Sequence, residues 1–513
     1  MIPHLIFDDR PIDPARLAER IERAAGGLDA LGVGEDDVVA LLMRNEPALI
    51  EAMLALRRLG AYFCPINWHF KADEAGWILR DSGARLLVAH ADLLPQMAAG
   101  IPPGLRVMAL APAARTRAAY RVDEAAARLP EGVDDWEAWL AAQPRFAGAA
   151  RRPRGMMPYT SGTTGRPKGV LRVAPEPDQV ARQAAAMARV GHAVFGVDAD
   201  SRCLLSAPLY HSAPCSYATF CANAGATLVL EPRFDAEGTL AAIERHRVSH
   251  LYLVPTMYQR LLRLPAGTRA RYDLSSVRFV ASTGSPCPPE VKRAMIDWWG
   301  PVIHEAYASS EAGYVTFITA AEWLRRPGSA GRPVGDAVVR ILDDGGRELP
   351  AGEVGTIYAR QPAYPDFTYA HDAAARARAD RGGLATQGDM GCIDADGYLY
   401  VRDRAADMVI SGGVNIYPAE IEAVLAAMPG VADCAVFGVP DEEFGEALAA
   451  AVEPQDGAAT DADAVRAWIG ERLAGYKVPR TVEFHARLPR EDTGKIFKRM
   501  LRAPHWAGVG RRI

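Results

Sequence analysis

The sequence has little of what marks a disulfide-built, metal-knuckle, membrane-spanning or nucleic-acid-binding protein. Its seven cysteines are scattered, with no Cys-x-x-Cys pair, which argues against a disulfide framework or a structural zinc site. No uninterrupted apolar run approaches the roughly 18–20 residues of a membrane span. A net charge of −5 gives no overall attraction to nucleic acid or anionic lipid. Met1-Ile2-Pro3-His4-Leu5 lacks a basic stretch followed by an apolar one, so no signal peptide is expected and a reduced, cytoplasmic setting is the default. No internal repeat stands out. What remains is a chain of 513 residues, 49% hydrophobic and 24% charged, long enough for roughly two to four domains.

The first third alternates helical and strand patterns. Asp13 is placed to cap a helix with Pro14 at its first position, and Leu17, Ile21, Ala24, Leu28 and Leu31 recur at helical spacing. Val38 to Met43 reads as a buried strand. Asn45 is expected to cap the next helix, which holds Pro47 in its first turn and closes at Gly60. Further strands are read at Tyr62 to Ile66 and Arg85 to Ala89, giving βαβ units and a parallel sheet. Residues 109–155 read as an Ala- and Arg-rich excursion. Its Arg145, Arg151, Arg152 and Arg154 suit either a solvated linker or a phosphorylated ligand.

The stretch that organises the chain follows: Tyr159-Thr160-Ser161-Gly162-Thr163-Thr164-Gly165-Arg166-Pro167-Lys168-Gly169-Val170. Its glycines let backbone N–H groups approach a ligand, and its hydroxyls and two cations are donors suited to phosphate oxygens. It lacks the Gly-Lys-Ser/Thr ending of a Walker loop, so an ordinary P-loop kinase is excluded. Four apolar runs come next, at Cys203, Thr227, Leu251 and Val277. In a doubly wound sheet the segments after such strands share one rim. That rim would carry Pro208-Leu209-Tyr210-His211, Thr283-Gly284-Ser285-Pro286 and Tyr307-Ala308-Ser309-Ser310-Glu311. From about Gly335 short strands and Asp/Gly turns suggest a β-rich subdomain. After Asp403 to Asp407 a compact α+β module begins, ending in Pro489-Arg490-Glu491-Asp492-Thr493-Gly494-Lys495.

In this order, the Gly/Thr loop, Tyr307–Glu311, Thr386-Gln387-Gly388-Asp389, Arg404, Ser411-Gly412-Gly413 and Thr493-Gly494-Lys495 resemble the adenylate-forming superfamily of acyl-CoA synthetases, adenylation domains and luciferases. The resemblance runs from about residue 14 to 500, and the acyl-CoA synthetase branch fits best. It implies a large N-terminal α/β domain of doubly wound sheets (1–403) with a small β-barrel-like subdomain, a hinge (404–408), and a small mobile α+β C-terminal domain (409–513). It also implies ATP, Mg²⁺ and coenzyme A as ligands. Residues Thr160, Ser161, Gly162, Thr163, Thr164, Gly165 and Lys168 would cradle the β- and γ-phosphates. Thr163 and Glu311 would meet Mg²⁺ or its waters. Gly284, Ser285, Pro286, Tyr307 and Ala308 would form the adenine slot, extended by Ser309 and Ser310, while Asp389 and Arg404 would hold the ribose. Lys495 would bring positive charge to the reacting carboxylate and α-phosphate, and His211 would gate the thiol path.

By motif proximity the acyl pocket would include Tyr210, Cys215, Thr256, Met257, Ala312, Gly313 and Val315. These are mostly small or apolar, and the His211 region holds no acid to receive an amino-acid ammonium. A hydrophobic acid is therefore expected, with a fatty acid favoured and an aryl acid under a capping Tyr314 as the alternative. Ser411, Gly412 and Gly413 would line a pantetheine tunnel, and Lys477 would meet coenzyme A phosphate. The resemblance leaves open an acyl-AMP ligase serving a carrier protein, a luciferase-like oxidase, a non-catalytic nucleotide- or acyl-binding relative, and a homodimer. Three positions depart from the family pattern: Ala406 at the hinge, where Asp or Lys is usual, and Ala308 and Ser310 for the commoner Gly and Thr.

Overall fold

The computed structural model describes residues 3–160, 167–285, 287–404, 407–411, 414–441, 443–491 and 494–507. Two β-sheets with helices packed on them form the body of the large N-terminal domain. The first is parallel, in the order Tyr62–Pro65, Val38–Leu42, Leu86–His90, Arg106–Leu110, Asp134–Asp135. Three of its strands, Tyr62–Pro65, Val38–Leu42 and Leu86–His90, are buried on both faces because helices cover both. The second has nine strands. Its parallel centre runs His4–Phe7, Thr227–Leu230, Arg202–Leu205, His250–Leu253, Phe279–Ser282, Ile303–Ser309. Ile303–Ser309 then turns back antiparallel into Gly313–Ile318. That turn, with the exits of the parallel strands, makes the rim on which ligands gather in open α/β sheets.

A six-stranded antiparallel sheet follows, built on Val338–Leu342, Gly355–Arg360, Asp389–Ile393 and Leu399–Arg404. The smaller C-terminal domain packs Pro418–Ala426 and Ala462–Gly470 against a sheet containing Val431–Asp441, Gly445–Pro454 and Thr481–Phe484. Trp468 anchors this packing by donating its indole N–H to the Val424 carbonyl at 2.9 Å.

Local sequence explains most element boundaries. Asp13 caps Pro14–Ala30 through Ala15 N–H at 2.9 Å, and the helix Pro47–Arg58 ends where Gly60 takes φ +69°. Asn45 does not cap that helix; Glu46 holds the position without a side-chain cap bond. Asn45 is instead fully buried between the two large sheets. Its amide donates to the carbonyls of Ala207 (2.9 Å) and Glu231 (3.2 Å) and accepts from Leu209 N–H at 2.9 Å. Three unpaired backbone groups outcompete one helix terminus. Three of the four arginines singled out in the 109–155 excursion are likewise engaged within the fold, while Arg145 is exposed. Arg151 pairs with Asp29 (2.5 Å), Arg152 with Glu35 (3.1 Å) and Arg154 with Asp36 (2.8 Å), so these cations are not held out for a phosphorylated ligand.

Candidate active site

Glu311 lies in the turn between Ile303–Ser309 and Gly313–Ile318 and is 4% exposed. Its Oε1 accepts from Tyr369 O–H at 3.0 Å and Thr160 O–H at 3.4 Å. Its Oε2 is buried with no hydrogen-bond partner among the described residues. Burial pushes the carboxyl pKa up, against the opposing pull of Tyr369 and of Arg172. A buried carboxylate oxygen with an unfilled lone pair is a hard donor suited to one divalent cation, so the residues present fit Mg²⁺. Arg172 fixes the turn from behind by donating to the carbonyls of Ser310 and Pro365. Lys168 points the same way: its ammonium is 3.6 Å from Asp372 and over the Tyr369 ring. Ser161, Gly162, Thr163, Thr164, Gly165 and Pro286 lie outside the described residues.

A second group sits further along the rim. Tyr307 donates its hydroxyl to Asp389 Oδ2 at 2.6 Å, and Arg404 Nε reaches Asp389 Oδ1 at 3.3 Å. Asp389 thus carries one neutral and one cationic donor while keeping lone pairs for diol hydroxyls. Gly284, at φ +97°, and Ser285 are exposed at the end of Phe279–Ser282, so the strand exit offers open backbone. Ser309 Oγ accepts from Ala312 N–H at 2.8 Å, and Ser310 donates to Ser212 Oγ at 3.2 Å. Both hydroxyls brace the turn. Ala308 follows a register shift in the strand pair.

Lys495 arrives from the C-terminal domain. Burial in the cleft, and then the Arg404 guanidinium, lower its pKa below the ordinary lysine value, with Glu491, Asp407 and Asp389 opposing. Its side chain is nonetheless exposed, so the cleft crowds the ammonium without taking it out of solvent. Gly494 brings the loop in at φ +87°, so close that a Cβ there would lie 2.7 Å from Thr256. Glu491, 5% exposed, reaches His211 Nε2 at 3.3 Å and Asn67 Nδ2 at 3.4 Å. The His211 approach is a charge contact by distance; Nε2 makes no aligned hydrogen bond. Neither Glu491 nor Asn67 stood out in the sequence, because a lone acid and a lone amide carry no local pattern.

The expected acyl pocket is partly redistributed. Tyr210 packs edge-on to Trp68 with ring centroids 4.4 Å apart. Cys215 is 2% exposed on Ser212–Ala224, its thiol pushed up to about 12 by burial. Met257, 1% exposed, belongs to the main core, whereas Thr256 meets Gly494. Ala312 and Val315 face the six-stranded sheet, in a cluster with Val339, Ile341 and Ile357. Strand alternation puts Tyr314 on the opposite face from Val315. Tyr314 is 3% exposed; its ring meets Phe195 at 5.1 Å and its hydroxyl reaches the Ala213 carbonyl at 3.5 Å. Gly313, at φ +83°, lies against the Tyr364 ring, where a Cβ would be 2.6 Å away.

Of the expected thiol-path residues, Ser411 and Lys477 are described. Ser411 pairs with Val414 and Gly445 inside the C-terminal sheet. The Lys477 ammonium is taken by Glu420 at 2.6 Å. Ala406, Gly412 and Gly413 lie outside the described residues.

Comparison with known proteins gives a consistent result. Residues 2–364 match the family model for AMP-binding enzymes, and residues 420–495 match the AMP-binding enzyme C-terminal domain. The chain is 36% identical to a feruloyl-CoA synthase of an Amycolatopsis species, over 94% of this chain and 92% of that protein. It is 35% identical to an indoleacetate–CoA ligase of Aromatoleum aromaticum (96% and 93%). A long-chain-fatty-acid–CoA ligase of Mycobacterium tuberculosis is 34% identical, again over 96% and 93%. Among solved structures, an anthranilate CoA ligase in complex with anthranoyl-AMP superposes with a TM-score of 0.84 at 26% identity, covering 99% of this chain and 95% of that one.

Proposed function

The chain belongs to the AMP-binding enzymes and is an AMP-forming acid–CoA ligase, and from that premise we propose that it activates a compact hydrophobic acid, aryl rather than long-chain, in two steps at the cleft described above. In the first, a carboxylate oxygen of the acid attacks the α-phosphorus of ATP and pyrophosphate leaves. In the second, the thiol of coenzyme A attacks the acyl carbonyl and AMP leaves.

The observation that carries the reading is the entry of the loop bearing Lys495 into the large domain's cleft, with Gly494 against Thr256 and Glu491 at His211 and Asn67, where Lys495 feels the charges of Arg404 and Asp389. Two anions must meet in the first step, so fixed positive charge contributes more than a base does. The Lys495 ammonium can span the carboxylate and the α-phosphate, offsetting charge in both. Asp389, oriented by Tyr307 and Arg404, would accept the ribose hydroxyls. Lys168 and the Gly/Thr loop would hold the outer phosphates. Glu311, through Oε2, would hold Mg²⁺, which when bound would neutralise phosphate charge. His211 would line the acyl site as a positional group.

The choice of acid rests on Tyr314. Its ring against Phe195 and its hydroxyl at the Ala213 carbonyl put an aromatic side chain beside Ser212–Ala224, which supports a short capped pocket. Sequence alone favoured a fatty acid; the packing of this side chain favours the aryl alternative. The relatives named for feruloyl and indoleacetate substrates agree with that, and the long-chain relative marks the competing reading.

The test is AMP release over a panel of benzoic, phenylpropenoic, indoleacetic and C6–C18 fatty acids, with and without coenzyme A. Release should require both a carboxylic acid and coenzyme A, and aryl acids should exceed long-chain acids by roughly tenfold or more in kcat/KM. Preference for C16 over every aryl acid would overturn the substrate assignment while leaving the two-step reading intact.

A further inference from the structure

The helix Ala72–Asp81 grips both of the strand arms that flank the Gly/Thr loop. Asp81 Oδ2 accepts from the Tyr159 hydroxyl at 2.8 Å, and Trp77 Nε1–H donates to the Pro167 carbonyl at 3.3 Å. At positions i and i+4, Trp77 and Asp81 stand one above the other on a single face of the helix. Each takes a different arm. The two arms pair antiparallel, Tyr159 with Gly169 and Thr160 with Lys168. The side chains held next to these grips are Thr160, whose hydroxyl reaches Glu311 at 3.4 Å, and Lys168, whose ammonium stands 3.6 Å from Asp372.

The arms need such a tie. Tyr159–Thr160 is a two-residue strand at the edge of a three-stranded sheet, in the order Phe367–Tyr369, Lys168–Arg172, Tyr159–Thr160. So short an edge strand has too few ladder bonds to fix its own position. The helix, by contrast, is firmly seated. Its Ala75, Ile78 and Leu79 are buried in an apolar cluster against which Trp77, Tyr159 and Leu171 also pack. Gly76 approaches Gly100 so closely that a Cβ on Gly76 would lie 2.4 Å from the Gly100 carbonyl oxygen. A fixed helix therefore holds a strand that cannot hold itself.

We propose that Trp77 and Asp81 are positioning residues for phosphate binding, which set through the two arms where Thr160 and Lys168 stand relative to Glu311. Asp81 acts on the outgoing arm through Tyr159, the neighbour of Thr160. Trp77 acts on the returning arm at Pro167, the neighbour of Lys168. Loss of either grip lets a phosphate donor drift, which weakens the hold on the outer phosphates of ATP and on pyrophosphate. The acid and the thiol step use neither donor and are left alone. This rests on the reading above in which Lys168 and the Gly/Thr loop hold the outer phosphates.

The experiment is acid-dependent ATP–pyrophosphate exchange at varied ATP, pyrophosphate and acid, with thioester formation from supplied acyl-AMP and melting temperature measured alongside. Trp77→Phe and Asp81→Ala should each raise KM for ATP and for pyrophosphate roughly threefold or more, while KM for the acid and the thioester step move by less than roughly twofold. Asp81→Asn keeps an acceptor for the Tyr159 hydroxyl and should recover most of what Asp81→Ala loses. Tyr159→Phe removes the same bond from its other end and replaces Asp81→Ala if that variant does not fold. Combined, the two should be non-additive in KM for pyrophosphate. An unchanged KM for pyrophosphate in Trp77→Phe and Tyr159→Phe would overturn the inference. So would equal changes in every KM and in the thioester step that follow the melting temperature. Lys168→Met tests the premise separately: if it leaves KM for ATP and pyrophosphate unchanged, the phosphate-holding reading falls and takes this inference with it.

Discussion

Tyr307 donates its hydroxyl to Asp389 at 2.6 Å across 82 residues of sequence, tying the nine-stranded sheet to the six-stranded one at the place proposed for the ribose. The bond uses one lone pair of a carboxylate that also meets Arg404. Tyr307→Phe keeps the ring for stacking and removes only the donor. Hydrogen bonds to charged groups contribute about 1.5–3 kcal/mol, and Arg404 remains to share the loss. The expected result is a rise of roughly three- to tenfold in KM for ATP, with kcat changed much less, measured by pyrophosphate exchange at varied ATP. An unchanged KM would mean that Asp389 does not face the ribose.

Glu311 is the second case, and here activity and stability should move in opposite directions. Its folded pKa is raised by burial, so the folded state binds its proton more tightly than the unfolded state does. The stability it contributes therefore falls as pH rises from its ordinary value through the folded value. At neutral pH the buried charge is a cost that Glu311→Gln removes. In the absence of ATP and Mg²⁺ the variant should melt higher, on the order of 1–2 °C, while exchange falls at least roughly a hundredfold. A lower melting temperature with exchange retained would contradict both halves.

These two residues also mark what could be read from the sequence. Glu311, Asp389 and Lys495 were legible because they sit in local patterns that resemble a known family's; residue type alone would leave Lys495 a solvated lysine in a polar tail. The parallel sheets were legible for a similar reason, since apolar runs such as Val38–Leu42 and Thr227–Leu230 are separated by helical spacing. Partnerships across the chain were not legible. Asn45 looked like a helix cap because its neighbours were local, yet its partners Ala207, Leu209 and Glu231 come from a different sheet. Asn67 and Glu491 are 424 residues apart, and nothing in either neighbourhood announces the other. Val315 and Tyr314 show the limit in miniature: proximity to a motif selects both, but a strand sends them to opposite faces.

Lys495 supplies a prediction about pH. Its pKa is lowered below 10.5, chiefly by burial and then by Arg404, so the ammonium is lost at a lower pH than for an ordinary lysine. Adenylation should accordingly decline on an alkaline limb that begins below the usual lysine range. The folded state releases this proton more readily than the unfolded state, so the lysine's contribution to stability increases as pH rises through the same window. Rate and melting temperature should diverge there. Lys495→Ala should cost roughly 10²–10³ in acid-dependent exchange, lose the alkaline limb, and largely spare thioester formation from supplied acyl-AMP. Normal exchange in that variant would remove Lys495 from the reaction.

Gly494 tests whether the approach of the loop, as distinct from the charge it carries, is needed. The residue sits at φ +87°, and a Cβ would lie 2.7 Å from Thr256 Cβ and 2.8 Å from its Oγ1. Alanine there would meet backbone strain of about 1 kcal/mol together with a contact that neither backbone can relieve without moving. The loop carrying Glu491 and Lys495 would be held back from the Asp389–Arg404 group. Gly494→Ala should therefore reduce pyrophosphate exchange roughly tenfold or more, because misplacing a reacting group by about 1 Å can cost 10²-fold. Thioester formation from supplied acyl-AMP, which does not use this approach, should change little. Thr256→Gly removes the opposing atoms, so the double variant should regain the steric part of the loss and keep the part due to φ. If Thr256→Gly returns nothing, the loop enters the cleft by a different path, and the convergence of Lys495 on Asp389 must be sought there.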